Sequence, residues 1–276
     1  DFRSTNVPGA WDRQAGSNNI VVQVIDSGLF GSSKKGDHPD LQDNIWINSG
    51  EIDCDDGVDN DGNGFVDDCH GYNFADDISS LVGDGDHGTH VAGTVAADTD
   101  NSIGVAGVAG GKGGKPGAAL MISTVFGTTN TAGFAEALVY GADNGANISC
   151  NSWGYTEADA YDPSVLDAID YAVDSGVYVV FAAGNDNDDG NWYPAYYNNA
   201  IAVASTDSLD NSRSTFSNYG AWIDIAAPGT YIVSTIYSEE TSYWYGFMSG
   251  TSMACPHVCG ILALVLSEVG NSTSRS

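Results

Sequence analysis

The chain reads as an α/β fold, a doubly wound and mostly parallel sheet with helices on both faces. Three observations predict it. Short apolar runs alternate with helix-length stretches, the apolar runs are continuous rather than alternating with polar residues, and no internal repeat interrupts the pattern. A strand covered on both faces has no side that meets water, so it shows an unbroken Val/Ile/Leu/Ala run.

The strands are predicted at residues 20–25, 119–126, 146–151, 177–182 and 201–204, each dominated by Val, Ile, Ala, Leu or Phe. Helices are predicted at 87–97, 132–144, 163–175 and 251–269. The third carries its own punctuation. Asp162 precedes Pro163, which suits a first helical position, and Gly176 follows Ser175 as a stop. Residues 48–86 resist the alternation; rich in Asp and Gly, they read as an insertion on the surface.

With 276 residues and 42% hydrophobic content, residues 1–276 can bury one sizeable core as a single domain. No stretch reads as long and apolar enough to span a bilayer, and Asp1 does not begin a signal peptide. Charge is lopsided: 37 Asp plus Glu face 8 Lys plus Arg, a net charge of -29. No Lys or Arg stands between Lys35 and Lys112, or between Lys115 and Arg213. Nucleic acid and anionic membranes need basic patches, so neither is an expected partner. The folded state repels itself unless cations help.

The chemistry concentrates in three short segments. Residues 249–259 read Ser-Gly-Thr-Ser-Met-Ala-Cys-Pro-His-Val-Cys, which puts Ser252 on the first turn of an apolar helix. A helix N-terminus offers free N–H groups and the positive end of a dipole, both suited to a developing anion. Pro256, four residues after Ser252, is tolerated because a proline early in a helix removes an N–H that has no intrahelical partner. Such a serine alone is an ordinary cap. The second segment, Val21-Val22-Gln23-Val24-Ile25-Asp26-Ser27-Gly28, leaves Asp26 at the carboxyl edge of a buried strand, where open α/β sheets carry their sites. The third, Asp86-His87-Gly88-Thr89-His90, opens a helix with His87, while His90 is expected to be structural.

A serine hydroxyl is a weak nucleophile at neutral pH and needs a base with a pKa near 7, which His87 supplies and Asp26 orients. The order Asp, His, Ser excludes the α/β-hydrolase arrangement, in which the serine comes first. With Phe181-Ala182-Ala183-Gly184-Asn185 as a fourth motif in order, the chain resembles the subtilisin-like serine proteases, the subtilase family, from about residue 7 to 270. The resemblance implies a subtilisin-like fold and a secreted, extracellular, calcium-stabilised endopeptidase that cleaves polypeptides through an acyl-enzyme. It implies catalytic Asp26, His87 and Ser252, with Asn185 donating its amide to the oxyanion. A pro-segment inhibitor during maturation, a mature form lacking leader and pro-segment, and a monomer are expected with it. Two rivals stay open: a catalytically silent relative that uses the groove for binding, and an esterase with the same triad.

The insertion holds Asp59-Asn60-Asp61-Gly62-Asn63-Gly64-Phe65-Val66-Asp67-Asp68. Oxygen side chains fall at positions 1, 3, 5 and 9 of a calcium loop, with Phe65 placed to offer its carbonyl at position 7 and Gly64 at the sharp turn. Position 12 is His70 rather than the usual bidentate glutamate, so Asp68 or a nearby Asp is expected to complete the shell. Cys54 and Cys69 bracket the loop, and a disulfide across about 15 residues would contribute roughly 3 kcal/mol in the entropic account. Cys150, Cys255 and Cys259 remain, an odd number. Cys150 sits within reach of either partner, and no pairing is assigned.

Further positions come from the resemblance alone. A tight calcium site maps onto Asp40, Asn101 and the carbonyls of Ile103 and Val105; a weaker one maps onto the Ala195 and Tyr197 carbonyls with Asp224. Ser152-Trp153-Gly154 maps to the segment that pairs with substrate and forms one wall of the S1 pocket, with Ala182 and Ala183 as the other. Trp153, Phe126 and Phe134 map around S4. Trp192 maps near the floor of S1, where a large ring would shorten the pocket, whereas Asp186, Asp188 and Asp189 would favour a basic residue; both readings stand. The chain ends soon after the serine helix, and Asn271-Ser272-Thr273 matches a glycosylation sequon.

Overall fold

A computed structural model describes residues 5–31, 34–83, 86–238 and 243–270. The sequon at Asn271 and part of the predicted insertion, Asp84 and Gly85, lie outside the described residues. After a single-turn helix α1 (Val7–Ala10) the chain enters β1 (Val21–Asp26), returns as the short strand β2 (Gly71–Asn73) and crosses as α2 (Asp86–Ala96). A small ribbon, β3 (Gly111–Lys112) and β4 (Lys115–Pro116), leads into β5 (Ala119–Thr124), α3 (Phe134–Asp143), β6 (Ile148–Asn151), α4 (Pro163–Asp174) and β7 (Tyr178–Ala182). The strands β8 (Ile201–Thr206) and β9 (Ile225–Pro228) complete the sheet; an antiparallel ribbon of β10 (Ile232–Ser238) and β11 (Tyr243–Met248) precedes α5 (Thr251–Val269).

The main sheet runs β2-β5-β1-β6-β7-β8-β9, and each of its pairings is parallel. Strand order reverses at β1, which has β5 on one side and β6 on the other. A crevice opens outside the carboxyl end of a strand at such a reversal, and Asp26 is the last residue of β1. The side-chain alternation of β1 sends Val22 and Val24 into the core shared with α2 and α5. Ile25 goes to the opposite core, with residues of α3 and α4. Gln23 is the polar exception on that second face, and its amide nitrogen donates to Ser123 Oγ at 2.8 Å and to the Ala137 carbonyl at 2.6 Å.

Several boundaries differ from the sequence reading for local reasons. The second predicted helix begins at Phe134 rather than 132, because Gly133 takes a left-handed φ of 81° that a helix cannot continue. The strand predicted to reach 126 ends at Thr124, and Phe126 pairs instead with Thr131 in an isolated antiparallel bridge. Asp162 caps α4 as expected, its carboxylate accepting the Ser164 N–H at 2.9 Å. Residues 48–86 are not wholly a surface insertion. Gly71–Asn73 is the edge strand of the main sheet, and Tyr72, Phe74 and Leu81 are buried.

Two readings of α5 need correction. The helix is long and apolar enough, by length and composition, to cross a membrane. It is instead packed into the core: Met253, Ala254, Val258, Ala263, Leu264 and Leu266 lie against the sheet and α2. Pro256 is also not in the first turn, because α5 starts at Thr251 and an N–H at 256 would bond the Ser252 carbonyl. That carbonyl is satisfied from outside the helix by the Ser152 hydroxyl, at 2.8 Å.

The Ser152 hydroxyl therefore stands in for the amide hydrogen that proline lacks. Ser152→Ala should cost about 1–3 kcal/mol by stranding a part-buried carbonyl, and in a Pro256→Ala background, where the N–H returns, the cost should shrink by about 1 kcal/mol. Urea unfolding of the four proteins in this double-mutant cycle measures it; identical costs in both backgrounds would refute the substitution.

Candidate active site

The Asp26–His87 pair sits at the strand reversal. His87 Nδ1 donates to Asp26 Oδ1 at 2.7 Å, and the Ser27 N–H donates to the same oxygen at 2.7 Å. The Asp26 side chain is 2% exposed and that of His87 39%, so the carboxylate is held in the interior while the imidazole is partly exposed. Helix α2 is fixed close to the end of β1: a Cβ at Gly88 would come 2.3 Å from the Gly28 carbonyl oxygen, so only glycine permits this approach. The Gly88 N–H donates to Ser27 Oγ at 3.0 Å. Asp26 raises the pKa of His87 above 6.5, against burial that lowers it. His90, one turn on, is buried and donates from Nε2 to the Ile232 carbonyl at 2.9 Å; burial pushes its pKa down to about 4 and keeps it neutral.

Ser252 lies in the first turn of α5, reached through Gly250. Its Oγ donates to the Ser152 carbonyl at 3.2 Å. Asn185 stands across the same turn, with its Oδ1 accepting the Thr251 N–H at 2.8 Å and the Thr251 hydroxyl at 3.1 Å. An amide whose oxygen is held this way is fixed in orientation, and its NH2 group is left to donate elsewhere. Asn218, which the sequence did not signal, organises the loop behind Asn185. Fully buried, it donates to the Ala183 carbonyl at 2.9 Å and accepts the N–H groups of Asp186 and Asp188 at 2.8 and 3.2 Å.

A cavity of about 320 Å³ opens beside Ser252, lined by Ser152, Trp153, Gly154, Ala182, Ala183 and Trp192 among others, with Asn185 at its rim. Of the residues mapped to specificity, these six therefore converge. Asp186 also lines it, and Trp192 Nε1 donates to Asp188 Oδ2 at 2.9 Å, which fixes the ring. Phe126 and Phe134 do not line this cavity. They form a chain of ring contacts that continues through Trp153 to Phe181, with centroids 5.3, 4.5 and 5.0 Å apart.

The acidic loop folds around its own carboxylates, stapled by the Cys54–Cys69 disulfide. Asp59 accepts the N–H groups of Gly62, Asn63 and Gly64. Asn63 Oδ1 accepts the Phe65 N–H at 2.8 Å. Asp67 turns away to Lys34, 3.3 Å off, and to the Gly57 N–H. Carboxylate oxygens of Asp61, Asp68 and Glu51 lie within 4.8 Å of one another. Glu51 was missed by sequence reasoning because it lies upstream of the loop frame. It is 9% exposed, and its Oε2 has no hydrogen-bond partner among the described residues. An unpartnered buried carboxylate oxygen beside two other carboxylates fits a hard cation.

The two other mapped calcium sets fare differently. Asp40, buried, accepts Asn101 Nδ2 at 2.6 Å and the Val105 N–H at 2.9 Å, and Asn101 Oδ1 accepts the Ile103 N–H, so these four residues share one corner. Asp224 is exposed, and its Oδ2 accepts the Ala202 N–H at 2.9 Å. The Tyr197 carbonyl accepts the Ala200 N–H, and Ala195 is buried.

The profile of the subtilase family matches residues 17–276. The chain is 36% identical over 270 residues to a thermophilic serine proteinase of Bacillus sp. (strain AK1), covering 98% of this chain and 58% of that protein. To thermitase of Thermoactinomyces vulgaris it is 37% identical, over 97% of this chain and 81% of that protein. A solved protease structure from Pseudoalteromonas arctica PAMC 21717 superposes with a TM-score of 0.76 at 31% identity, over 97% of this chain and 83% of that one.

The His87–Asp26 pair makes a pH-dependent contribution to stability. Because the folded pKa of His87 is raised, the contribution is complete below about pH 6.5 and is lost as pH climbs through the folded value. Imidazole NMR titration should place the His87 midpoint above 6.5, and Asp26→Asn should bring it to 6.5 or lower. An unmoved midpoint in that variant would show that Asp26 does not set the charge on His87.

Proposed function

This chain belongs to the subtilase family, and we propose that it is an extracellular, calcium-stabilised serine endopeptidase acting on polypeptides. It spans 58% of the thermophilic proteinase and 81% of thermitase, so the activity is proposed for this catalytic unit. The observation that carries the reading is the 2.7 Å Asp26–His87 bond at the strand reversal, with Ser252 and Asn185 joined through Thr251 at the start of α5.

A peptide bound along Ser152-Trp153-Gly154 would present its carbonyl to Ser252. The hydroxyl, which donates to the Ser152 carbonyl here, swings to His87 Nε2 and passes its proton there as Oγ attacks the carbonyl carbon. Asp26 holds the imidazole with Nδ1 protonated and stabilises the imidazolium. The oxyanion meets the Asn185 NH2 and the Ser252 N–H, which as an early helical amide has no intrahelical acceptor. The C–N bond then breaks, His87 gives its proton to the leaving amine, and water repeats the sequence to release the acyl group. The intact set of catalytic side chains favours this over a silent binding protein, and a groove with a peptide-pairing segment favours amide over simple ester substrates. The disulfide supports an oxidising compartment, and a pro-segment would occupy the groove during maturation.

Calcium would be held in the acidic loop by Asp59, Asp61, Asn63, the Phe65 carbonyl, Asp68 and Glu51, neutralising carboxylates that now face one another. A second ion suits Asp40, Asn101 and the Ile103 and Val105 carbonyls. The ions would stabilise the fold and take no part in the proton transfers.

Ser252→Ala should abolish casein hydrolysis while leaving the melting curve unchanged. Asn185→Ala should lower kcat by about 100- to 1000-fold with KM nearly constant, the loss that removal of the equivalent asparagine donor causes in subtilisin. Unaltered turnover in the Ser252 variant would sink the mechanism. For the loop, Asp59→Asn with Asp61→Asn, and separately Glu51→Gln, should each remove about one calcium equivalent by calorimetry and weaken the rise of Tm with calcium at constant ionic strength. Unchanged stoichiometry in both would make the loop a solvated acidic segment.

A further inference from the structure

Three cysteines converge beneath Ser252, on the side of α5 that faces the sheet. Cys255 and Cys259 lie one turn apart on α5, and Cys150 stands on β6. All are free thiols at 0% exposure. Their sulfur atoms lie within 4.8 Å of one another, and Cys150 Sγ is 3.9 Å from Cys255 Sγ. Thiolates bind a d10 ion at about 2.3 Å, which puts three of them in a trigonal plane about 4 Å apart. The thiols thus already hold nearly the spacing of a three-coordinate site.

Donor type and number then select the ion. Sulfur ligands favour soft cations such as Cu(I) and Zn(II) over Ca2+ or Mg2+. Structural Zn(II) closes its shell with a fourth ligand. Among the described residues no His, Asp or Glu joins the three thiols, and all three are fully buried, away from the bulk water that would otherwise serve as a fourth ligand. Cu(I) is satisfied by three. Negative charge on Cys255 would also lie near the N-terminal end of α5, where the helix dipole favours an anion.

We propose that Cys150, Cys255 and Cys259 form a three-coordinate thiolate site for one Cu(I) ion, one helical turn beneath the nucleophile. The site bridges the two segments that hold Ser252. Cys150 is two residues before Ser152, whose carbonyl accepts Ser252 Oγ and whose hydroxyl donates to the Ser252 carbonyl, and Cys255 is three residues after Ser252. An ion held by Cys150 and Cys255 locks β6 to α5 at the spacing in which Ser252 Oγ donates to the Ser152 carbonyl, which opposes the swing of that hydroxyl towards His87, so occupancy suppresses the reaction. That coupling rests on the peptidase reading; uptake of the ion does not.

Anaerobic titration with Cu(I) against a competing chelator, with copper counting and the sulfur-to-copper charge-transfer absorption, should reach one equivalent per chain. X-ray absorption should give three sulfur neighbours at about 2.3 Å. Cys150→Ala, Cys255→Ala and Cys259→Ala should each weaken uptake at least tenfold, and Ser252→Ala should leave it intact. Should a cysteine variant fail to fold, the coordination number of the unaltered protein decides the matter. No uptake, two sulfur neighbours, or uptake that survives removal of all three thiols overturns the site. Labelling of Ser252 by a sulfonyl fluoride should slow at least tenfold on loading. Unchanged labelling at full occupancy overturns the coupling, whereas failure of the metal-free protein to label at all refutes the peptidase reading and leaves the copper result standing.

Discussion

The cleft depends on how the first two turns of α5 are held against the carboxyl ends of β6 and β7. A helix start leaves N–H groups without partners, and Gly250 has no side chain with which to cap them. The cap comes from elsewhere: Asn185, from the loop after β7, accepts the Thr251 N–H and hydroxyl. One interaction thereby closes the helix, fixes the orientation of the asparagine amide, and ties the loop after β7 to the residue next to Ser252. Ser152 completes the clamp from the end of β6 by exchanging hydrogen bonds with Ser252 in both directions. Because these bonds join a strand edge to a buried helix, Ser252 inherits the rigidity of the core.

Acidity shapes the remainder of the molecule. With 37 acidic side chains and 8 Lys plus Arg, the chain cannot pair its carboxylates with bases. It satisfies many of them with neutral donors instead. Asp59 collects backbone N–H groups, Asp68 takes the Tyr140 hydroxyl at 2.6 Å and the amides of Asn48 and Asn63, and Asp40 takes Asn101. Lys34 answers Asp55 and Asp67 at the loop. Where burial outruns these donors the carboxyl holds its proton more tightly: the pKa of Asp98 is pushed up to about 7, chiefly by desolvation. Hydrogen bonds relieve desolvation but not mutual repulsion, which is why bound cations suit the acidic loop.

Much was legible in the chain before folding, wherever a local rule was strong. Continuous apolar runs marked β1, β5, β6, β7 and β8, and Asp162 with Pro163 marked the start of α4, because strand burial and helix capping act over a few residues. Asp26, His87, Asn185 and Ser252 stood out as candidates because nucleophilic catalysis needs those side chains beside glycines and at element ends. The bracket of Cys54 and Cys69 announced the staple, since the loop between them is short. Tertiary structure decided what depends on pairs distant in sequence. The three-residue strand β2 exists only because β5 offers it a partner, and Asn218 matters only because the chain returns beside Ala183. Pro256 is accommodated by a hydroxyl about a hundred residues away, Glu51 enters the acidic cluster from outside its spacing pattern, and three cysteines meet across a helix and a strand. Sequence periodicity reports which face of an element is buried; only the packed chain determines which residue stands opposite.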